Sequence, residues 1–149
     1  MSIGEICNRD VVVINKGENV FEAAKLMRQY HVGDVVVVET KSGKVVPVGI
    51  LTDRDIVIEL IAENVPLDNI LVEDVMSTDL VTVRENYGVW ESIKTMHAKG
   101  VRRIIVVNDA GGLEGILSLD DLLELLSVEL SDLVKALTRE QDREKEVRL

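Results

Sequence analysis

The segment PVGILTDRDI at residues 47–56 returns in altered form as LEGILSLDDL at residues 113–122. Each copy runs from a short apolar stretch into a hydroxyl residue that is followed three positions later by an aspartate. That order predicts a buried strand leading into a helix whose first turn is capped by the hydroxyl and the acid. The recurrence indicates that the chain contains one structural unit twice.

The repeat extends over most of the chain. Before the glycine-containing turns the two copies are offset by 69 residues (79 − 10), and after them by 66 (115 − 49), because residues 41–47 are replaced by the shorter residues 110–113. Nine positions of the first copy are identical to their counterparts at the first offset: Asp10, Val12, Val20, Glu22, Lys25, Met27, Val32, Val37 and Val38 match Asp79, Val81, Val89, Glu91, Lys94, Met96, Val101, Val106 and Val107.

Each copy predicts the element order β-α-β-β-α. A short apolar strand (residues 11–14 and 80–83) precedes a helix with one apolar face, and a β-branched run (residues 35–38 and 104–107) then forms an antiparallel hairpin with a further strand. One unit of roughly 60 residues buries too little surface to be stable alone. The fold class is therefore mixed α/β (α+β), with two tandem β-α-β-β-α repeats related by a pseudo-twofold axis and a C-terminal helical extension.

We place the first repeat at residues 1–67, the second at residues 68–127 and the helical tail at residues 128–149. The tail begins with an apolar helical stripe formed by Val128, Leu130, Leu133, Val134 and Leu137, and then becomes almost wholly charged. It either continues the last helix or forms a second one. It serves for packing or for dimerisation, because a one-sided stripe indicates that a face is covered but not by which chain.

Composition limits the partners. Twenty-seven acidic against seventeen basic residues give a net charge of −10, which repels nucleic acids and anionic membranes. The apolar runs are too short to cross a bilayer. The single cysteine, Cys7, cannot form an intramolecular disulfide, and the first residues do not resemble a signal peptide. We therefore expect a cytoplasmic protein that binds neither nucleic acid nor membrane.

The two strand-to-helix junctions are the candidate functional sites. Helix capping alone accounts for Thr52 with Asp55 and for Ser118 with Asp121. A helix start after a buried strand is also an anion site, where the hydroxyl would meet a phosphate and the acid a ribose diol. The arrangement occurs at equivalent places in both copies, which capping by itself does not require.

Catalysis and metal binding are not predicted. His31, His97 and Cys7 lie in separate elements without the paired spacing of metal ligands. The sequence contains no nucleophile–base pair, P-loop or dinucleotide fingerprint. We expect a protein that is not an enzyme and has no metal site and no catalytic cofactor.

The sequence resembles a pair of CBS domains, the module also called a Bateman domain. The phrases that carry the resemblance are HVGDVVVV at residues 31–38 and PVGILTDRDI at 47–56 in the first copy, and VEDVM at 72–76 and GVRRIIVV at 100–107 in the second. It covers about residues 3–126, so we expect a stand-alone pair without a catalytic domain.

The resemblance implies a regulatory protein, in homodimeric form, that binds AMP, ADP or ATP in clefts between the repeats and signals occupancy to an effector protein. In the family the hydroxyl approaches phosphate, the acid accepts ribose hydroxyls, and adenine lies beside the first strand and the start of the second. The implied nucleotide-binding residues are Asp10, Val12, His31, Val32, Gly33, Ile50, Thr52, Arg54 and Asp55 from the first copy, and Asp79, Val81, Gly100, Val101, Arg102, Arg103, Ile116, Ser118 and Asp121 from the second.

The two implied sites differ in charge. Arg102 and Arg103 stand where the first copy has Gly33 and Asp34, so we expect unequal affinities or a preference for different phosphate numbers. The sequence leaves open which first-strand segment faces which junction. Two other interpretations also remain: a ligand-free structural or dimerisation module, and the same scaffold binding S-adenosylmethionine or NAD.

Overall fold

The computed structural model describes residues 1–148. Its first repeat consists of α1 (Ile3–Ile6), β1 (Val13–Asn15), α2 (Val20–Tyr30), β2 (Asp34–Lys41), β3 (Lys44–Thr52), the single turn α3 (Asp53–Asp55) and a π-helix (Ile56–Ile61). The second repeat consists of α4 (Val72–Val75), β4 (Thr82–Arg84), α5 (Val89–Lys99), β5 (Arg103–Val107), β6 (Leu113–Ser118) and α6 (Leu119–Val147). Met1–Leu117 forms one compact unit, and a second unit begins at Ser118.

The strands form two three-stranded sheets, in the orders β1-β2-β3 and β4-β5-β6. In the first sheet β1 is parallel to β2, and β2 is antiparallel to β3. In the second, β4 is parallel to β5. Parallel neighbours need a crossover connection, which α2 and α5 supply. The mixed α/β architecture with two repeats is therefore confirmed.

The face between the two sheets is apolar and is built from residues at equivalent positions of the two repeats. One cluster contains four such pairs: Val11 with Leu80, Val36 with Ile105, Val38 with Val107, and Ile50 with Ile116. Val36 and Ile105 are each only 1% exposed. A contact made from equivalent residues is what a pseudo-twofold relation between the repeats predicts.

The segment that precedes the first strand of each repeat packs on the other repeat. Four backbone contacts define this exchange: the N–H of Ile3 donates to the carbonyl of Tyr87 (2.7 Å), the N–H of Val72 donates to that of Glu18 (2.8 Å), and antiparallel bridges join Asn8 to Ile116 and Ser77 to Ile50. The segment that leads into β4 therefore lies beside the end of β3. The segment that faces the junction at Thr52 is therefore the one that leads into β4.

The secondary structure differs from the expectation in two respects. α1 and α4 were not part of the predicted unit, because four residues are too few to show a helical period. After Thr52 the chain makes one α-helical turn and then the π-helix Ile56–Ile61, where an ordinary helix was expected.

The last helix is continuous. α6 covers Leu119–Val147 without a break, so of the two alternatives for the tail the structure has the continued helix. Within residues 1–148, none of the helices combines the length and the apolar content that a bilayer span needs.

Gly49 lies against the exchanged segment, and a larger residue there should destabilise the fold. A Cβ at this position would stand 2.9 Å from the backbone oxygen of Ser77, so the backbone would have to move. We expect Gly49→Ala to lower the free energy of unfolding by about 1–3 kcal/mol, as overpacking does. Urea unfolding followed by circular dichroism measures this loss.

Gly17→Ala is the control, because a Cβ there would meet only the side chain of Asn15, at 3.5 Å. Equal stability of the two variants would contradict the close approach at Gly49.

Candidate functional site

Thr52 and Asp55 form a reciprocal cap at the junction of β3 and α3. The Oγ1 of Thr52 accepts a hydrogen bond from the N–H of Asp55 (3.0 Å), and the Oδ2 of Asp55 accepts one from the N–H of Thr52 (3.0 Å). Ser118 and Asp121 make the same two bonds at the start of α6, at 3.1 and 2.9 Å. The capping interpretation of both junctions is therefore confirmed.

The cap leaves polar atoms of the first junction available. The Thr52 hydroxyl accepts in the cap, and a hydroxyl can donate at the same time. The carboxylate of Asp55 uses Oδ2, while its Oδ1 has no hydrogen-bond partner among residues 1–148. One donor and one acceptor thus remain for a ligand at this place.

A cavity of about 190 Å³ lies beside the cap, within Met1–Leu117. Three segments form its wall: the end of β3 with the cap, the segment that enters β4, and the connection from α5 to β5. The lining residues are Ile50, Thr52, Asp55, Ser77, Asp79, Leu80, Val81, Val101, Arg102 and Arg103. The backbone bridge between Ile50 and Ser77 joins the first two segments (2.9 Å).

The wall of the cavity combines the hydroxyl groups of Thr52 and Ser77 with three other kinds of side chain. Aliphatic groups such as Val81 and Val101 offer an apolar slot, carboxylates offer acceptors, and the two arginines offer donors with positive charge. Apolar walls with a few directed polar groups are typical of small-molecule sites. This set suits a ligand that has a flat ring, adjacent hydroxyl groups and an anionic group.

An ion pair between the repeats stands at the cavity. The Nε of Arg103, a lining residue, donates to the Oδ2 of Asp34 at 2.7 Å. The two side chains are 25% and 26% exposed. They occupy equivalent positions of the repeats (103 − 34 = 69), so the pair lies where the two copies meet.

The cavity brings together eight of the residues named from the sequence: Ile50, Thr52, Asp55, Asp79, Val81, Val101, Arg102 and Arg103. It also contains Ser77 and Leu80, which the sequence reasoning missed. Their segment belongs to the second repeat in sequence but lies on the first in space, and no local pattern reveals such an exchange. The repeat offers one signal for Leu80. The equivalent residue of the first copy, Val11, is also apolar, which indicates a covered position in both copies.

Two other predicted residues lie close in sequence but do not line this cavity. Arg54 is exposed, and its N–H donates to the Oδ1 of Asp53 (2.8 Å). Gly100 ends α5 in the left-handed region, with φ of 65°.

The remaining predicted residues do not line this cavity, and their part in a second site stays a prediction. The structure places them as follows: Asp10 and Val12 precede β1, His31 ends α2 with φ of 54°, Val32 and Gly33 follow it, Ile116 pairs with Asn8 in β6, and Ser118 and Asp121 cap α6.

The structure gives local surroundings for two of the three residues considered for metal binding, Cys7 and His31. Burial raises the pKa of the Cys7 thiol above its ordinary value, as suits a packed rather than a reactive cysteine. His31 is the C-cap of α2. Across residues 1–148, His, Cys, Asp and Glu side chains do not gather in groups of three or more that would hold a metal ion.

Comparison with known proteins confirms the resemblance. The family model described as CBS domain matches residues 3–62 and 72–128. An uncharacterized protein of Methanopyrus kandleri is 38% identical over 125 residues, which are 84% of this chain and 62% of that protein. The chain thus spans about three fifths of that relative's length.

Solved structures share the fold. The crystal structure of an uncharacterized conserved protein from Pyrococcus horikoshii superposes with a TM-score of 0.71 at 31% identity, covering 83% of this chain and 90% of that one. A CBS domain pair in complex with 5′-methylthioadenosine and S-adenosyl-L-methionine superposes with a TM-score of 0.74, covering 87% and 98% of the two chains. Its identity is 22%, so this likeness is one of fold alone.

Removing the hydroxyl of the first cap should destabilise the protein. We expect Thr52→Ala to lower the free energy of unfolding by about 1 kcal/mol, because the N–H of Asp55 loses its acceptor. Thr52→Ser keeps the hydroxyl and is the matched control. Thermal unfolding of both variants measures the difference, and an alanine variant as stable as the serine variant would contradict the cap.

Proposed function

The chain belongs to the CBS domain family, and from that premise we propose that it is a regulatory module, not an enzyme, that binds AMP, ADP or ATP in the cavity beside Thr52 and Asp55. The observation that carries the proposal is the meeting of the two repeats at this cavity. The hydroxyl and acid of one repeat face Asp79, Val81 and the arginines of the other.

Each part of an adenine nucleotide has a counterpart in the wall. The free Oδ1 of Asp55 accepts a hydrogen bond from a ribose hydroxyl, and the Thr52 hydroxyl donates to phosphate. Arg102 and Arg103 supply charge-assisted donors for the same phosphate. The adenine ring lies between the aliphatic side chains, of which Val81 and Val101 come from the second repeat.

Regulation follows from the fact that both repeats line the cavity. A ligand that touches both favours the arrangement in which its contacts are complete, and so shifts the population of arrangements. An effector protein that contacts the module in the cytoplasm reads this shift. For the second predicted site, with Ser118 and Asp121, we expect a different affinity or a preference for a different number of phosphates.

S-adenosylmethionine is the second candidate ligand. The solved CBS pair that holds 5′-methylthioadenosine and S-adenosyl-L-methionine has this fold. Both of those compounds carry an adenosine group, which the same acid and aliphatic slot would hold. NAD carries one as well.

We also propose that the protein is a homodimer joined through α6. Leucines recur along this helix at alternating steps of four and three residues: Leu119, Leu123, Leu126, Leu130, Leu133 and Leu137. This is the a/d spacing of a coiled coil, in which each leucine enters a hole of the facing helix. The last five are between 38% and 68% exposed. A second copy of the chain has the same spacing and removes these leucines from water.

Adenosine ligands should stabilise the protein. A ligand at 100 times its dissociation constant adds about 2.7 kcal/mol to the free energy of unfolding. Thermal shift against AMP, ADP, ATP, S-adenosylmethionine and NAD measures this. If none of the five stabilises the protein, the chain is an assembly module and the proposal fails.

The acid of the cap gives the matched test of the site. Asp55→Ala should weaken binding at the described cavity by about 1.5–3 kcal/mol, the value of a hydrogen bond to a charged group. Asp121→Ala removes the equivalent cap bond in the other repeat and should leave this cavity's affinity unchanged. Calorimetric titration separates the two sites. Unchanged binding in the double variant would return both acids to capping alone.

The leucines at the a/d spacing of α6 form a seam, and a dimer joined along this seam predicts the mass of the protein in solution. Sedimentation equilibrium should give twice the 16.6 kDa of one chain. Leu130→Glu places a charge on the seam and should yield monomer, because a charge in an apolar interface is costly. Val128→Glu adds the same charge at an exposed position of α6 and should remain dimeric, because Val128, although part of the predicted apolar stripe, does not fall on the four-three spacing of the seam. Equal masses for the two variants would exclude the seam.

A further inference from the structure

The charges that surround the cavity do not favour a highly anionic ligand. Asp55 and Asp79 contribute two negative charges to the wall, and Arg102 and Arg103 contribute two positive ones. Asp34 adds a third negative charge through its ion pair with Arg103. The side chains at the cavity therefore carry no surplus of positive charge.

The ion pair limits what Arg103 can offer. Asp34 lies 2.7 Å from Nε, and both side chains are about three quarters removed from solvent, so water screens their charges less than at an exposed surface. A phosphate that approaches the guanidinium also approaches the Asp34 carboxylate. One phosphate can be held by the terminal nitrogens of the arginine, but every further phosphate increases the repulsion.

The surroundings of the cavity add to this effect. A neighbouring cavity shares Asp55 and Ser77 with it and is lined by Glu59 and Asp74 as well. A ligand that extends from the first cavity into the second meets carboxylates instead of cations. The chain as a whole carries a net charge of −10, which opposes polyanions at longer range.

We propose that Asp34 makes this cavity selective by charge, so that it holds adenosine ligands with at most one phosphate and disfavours ADP and ATP. Asp34 acts by its charge, because it offsets the charge of Arg103 and repels phosphates, and it need not touch the ligand. The inference rests on the proposed function, since it concerns the same cavity and the same adenosine group.

Calorimetric titration of the full chain with adenosine, AMP, ADP and ATP, in buffer without divalent cations, tests the proposal. In the unchanged protein, affinity should fall from AMP to ATP. Asp34→Asn should raise the affinity for ATP by about tenfold, because one charge close to the phosphates is removed. The affinity for adenosine, which carries no phosphate, should not change.

Asp109→Asn is the matched control. It removes the same charge from another acid in an ion pair, with Arg84, and Asp109 does not line this cavity. The ratio of ATP to adenosine affinity should therefore stay as in the unchanged protein. An equal rise in both variants would show an effect of net charge and overturn the role of Asp34.

The remaining outcomes distinguish a failure of the proposed selectivity from a failure of the proposed function. If Asp34→Asn weakens AMP binding while adenosine binding is unchanged, Asp34 positions Arg103 for phosphate and the proposed selectivity is wrong. If the unchanged protein binds ATP more tightly than AMP, the selectivity is wrong while the proposed function stands. If none of the four compounds binds, the proposed function fails and the inference fails with it. A fall of equal size for all four in Asp34→Asn would indicate a purely structural role and would also overturn the proposal.

Discussion

Apolar contact between equivalent faces of the two repeats is the constraint on which the rest of the structure depends. A β-α-β-β-α unit leaves part of its sheet without cover, and a stable domain must bury that face against another layer. Here the cover is the second copy, and Val36 and Ile105, equivalent residues, are almost completely buried in one cluster. Because this contact brings the repeats together, the cap of one repeat faces the entering segment of the other. The cavity beside Thr52 is thus a consequence of the pairing.

The exchange of the entering segments explains a glycine that the two copies share. Gly49 and Gly115 stand at equivalent positions, and each lies under the segment contributed by the other repeat. A Cβ would come within 2.9 Å of the oxygen of Ser77 at the first position and 3.0 Å of that of Asn8 at the second. These glycines therefore permit a close approach of two backbones. The sequence pattern of the strand-to-helix junction thus also contains the glycine that lets the two repeats approach closely.

The sequence predicted what depends on local pattern and on the repeat. The run of valines around Val36 predicted a buried strand. The hydroxyl–acid spacing predicted that Thr52 and Asp55 form a cap. Both patterns are short-range, so the sequence alone was sufficient. Features that depend on the other repeat were not predictable in this way. Ser77 lines the cavity only because its segment crosses over, and Arg54 lies outside although it stands inside the motif. Nearness in sequence therefore indicates the residues of the cavity less well than the pseudo-symmetry does. The pseudo-symmetry places each entering segment beside the strand-to-helix junction of the other repeat.

Capping and ligand binding do not compete at this junction, because they use different atoms. The cap holds the hydroxyl of Thr52 and the carboxylate of Asp55 through bonds of 3.0 Å, with Oδ1 left over. Side chains that are already fixed lose less conformational entropy when a ligand arrives, so the cap favours binding. The ion pair with Asp34 fixes the guanidinium of Arg103 in the same way, but it also cancels the charge that a phosphate would seek. Both repeats have a cap with the same pair of hydrogen bonds. The repeats differ in charge where they meet, because the first has Gly33 and Asp34 where the second has Arg102 and Arg103.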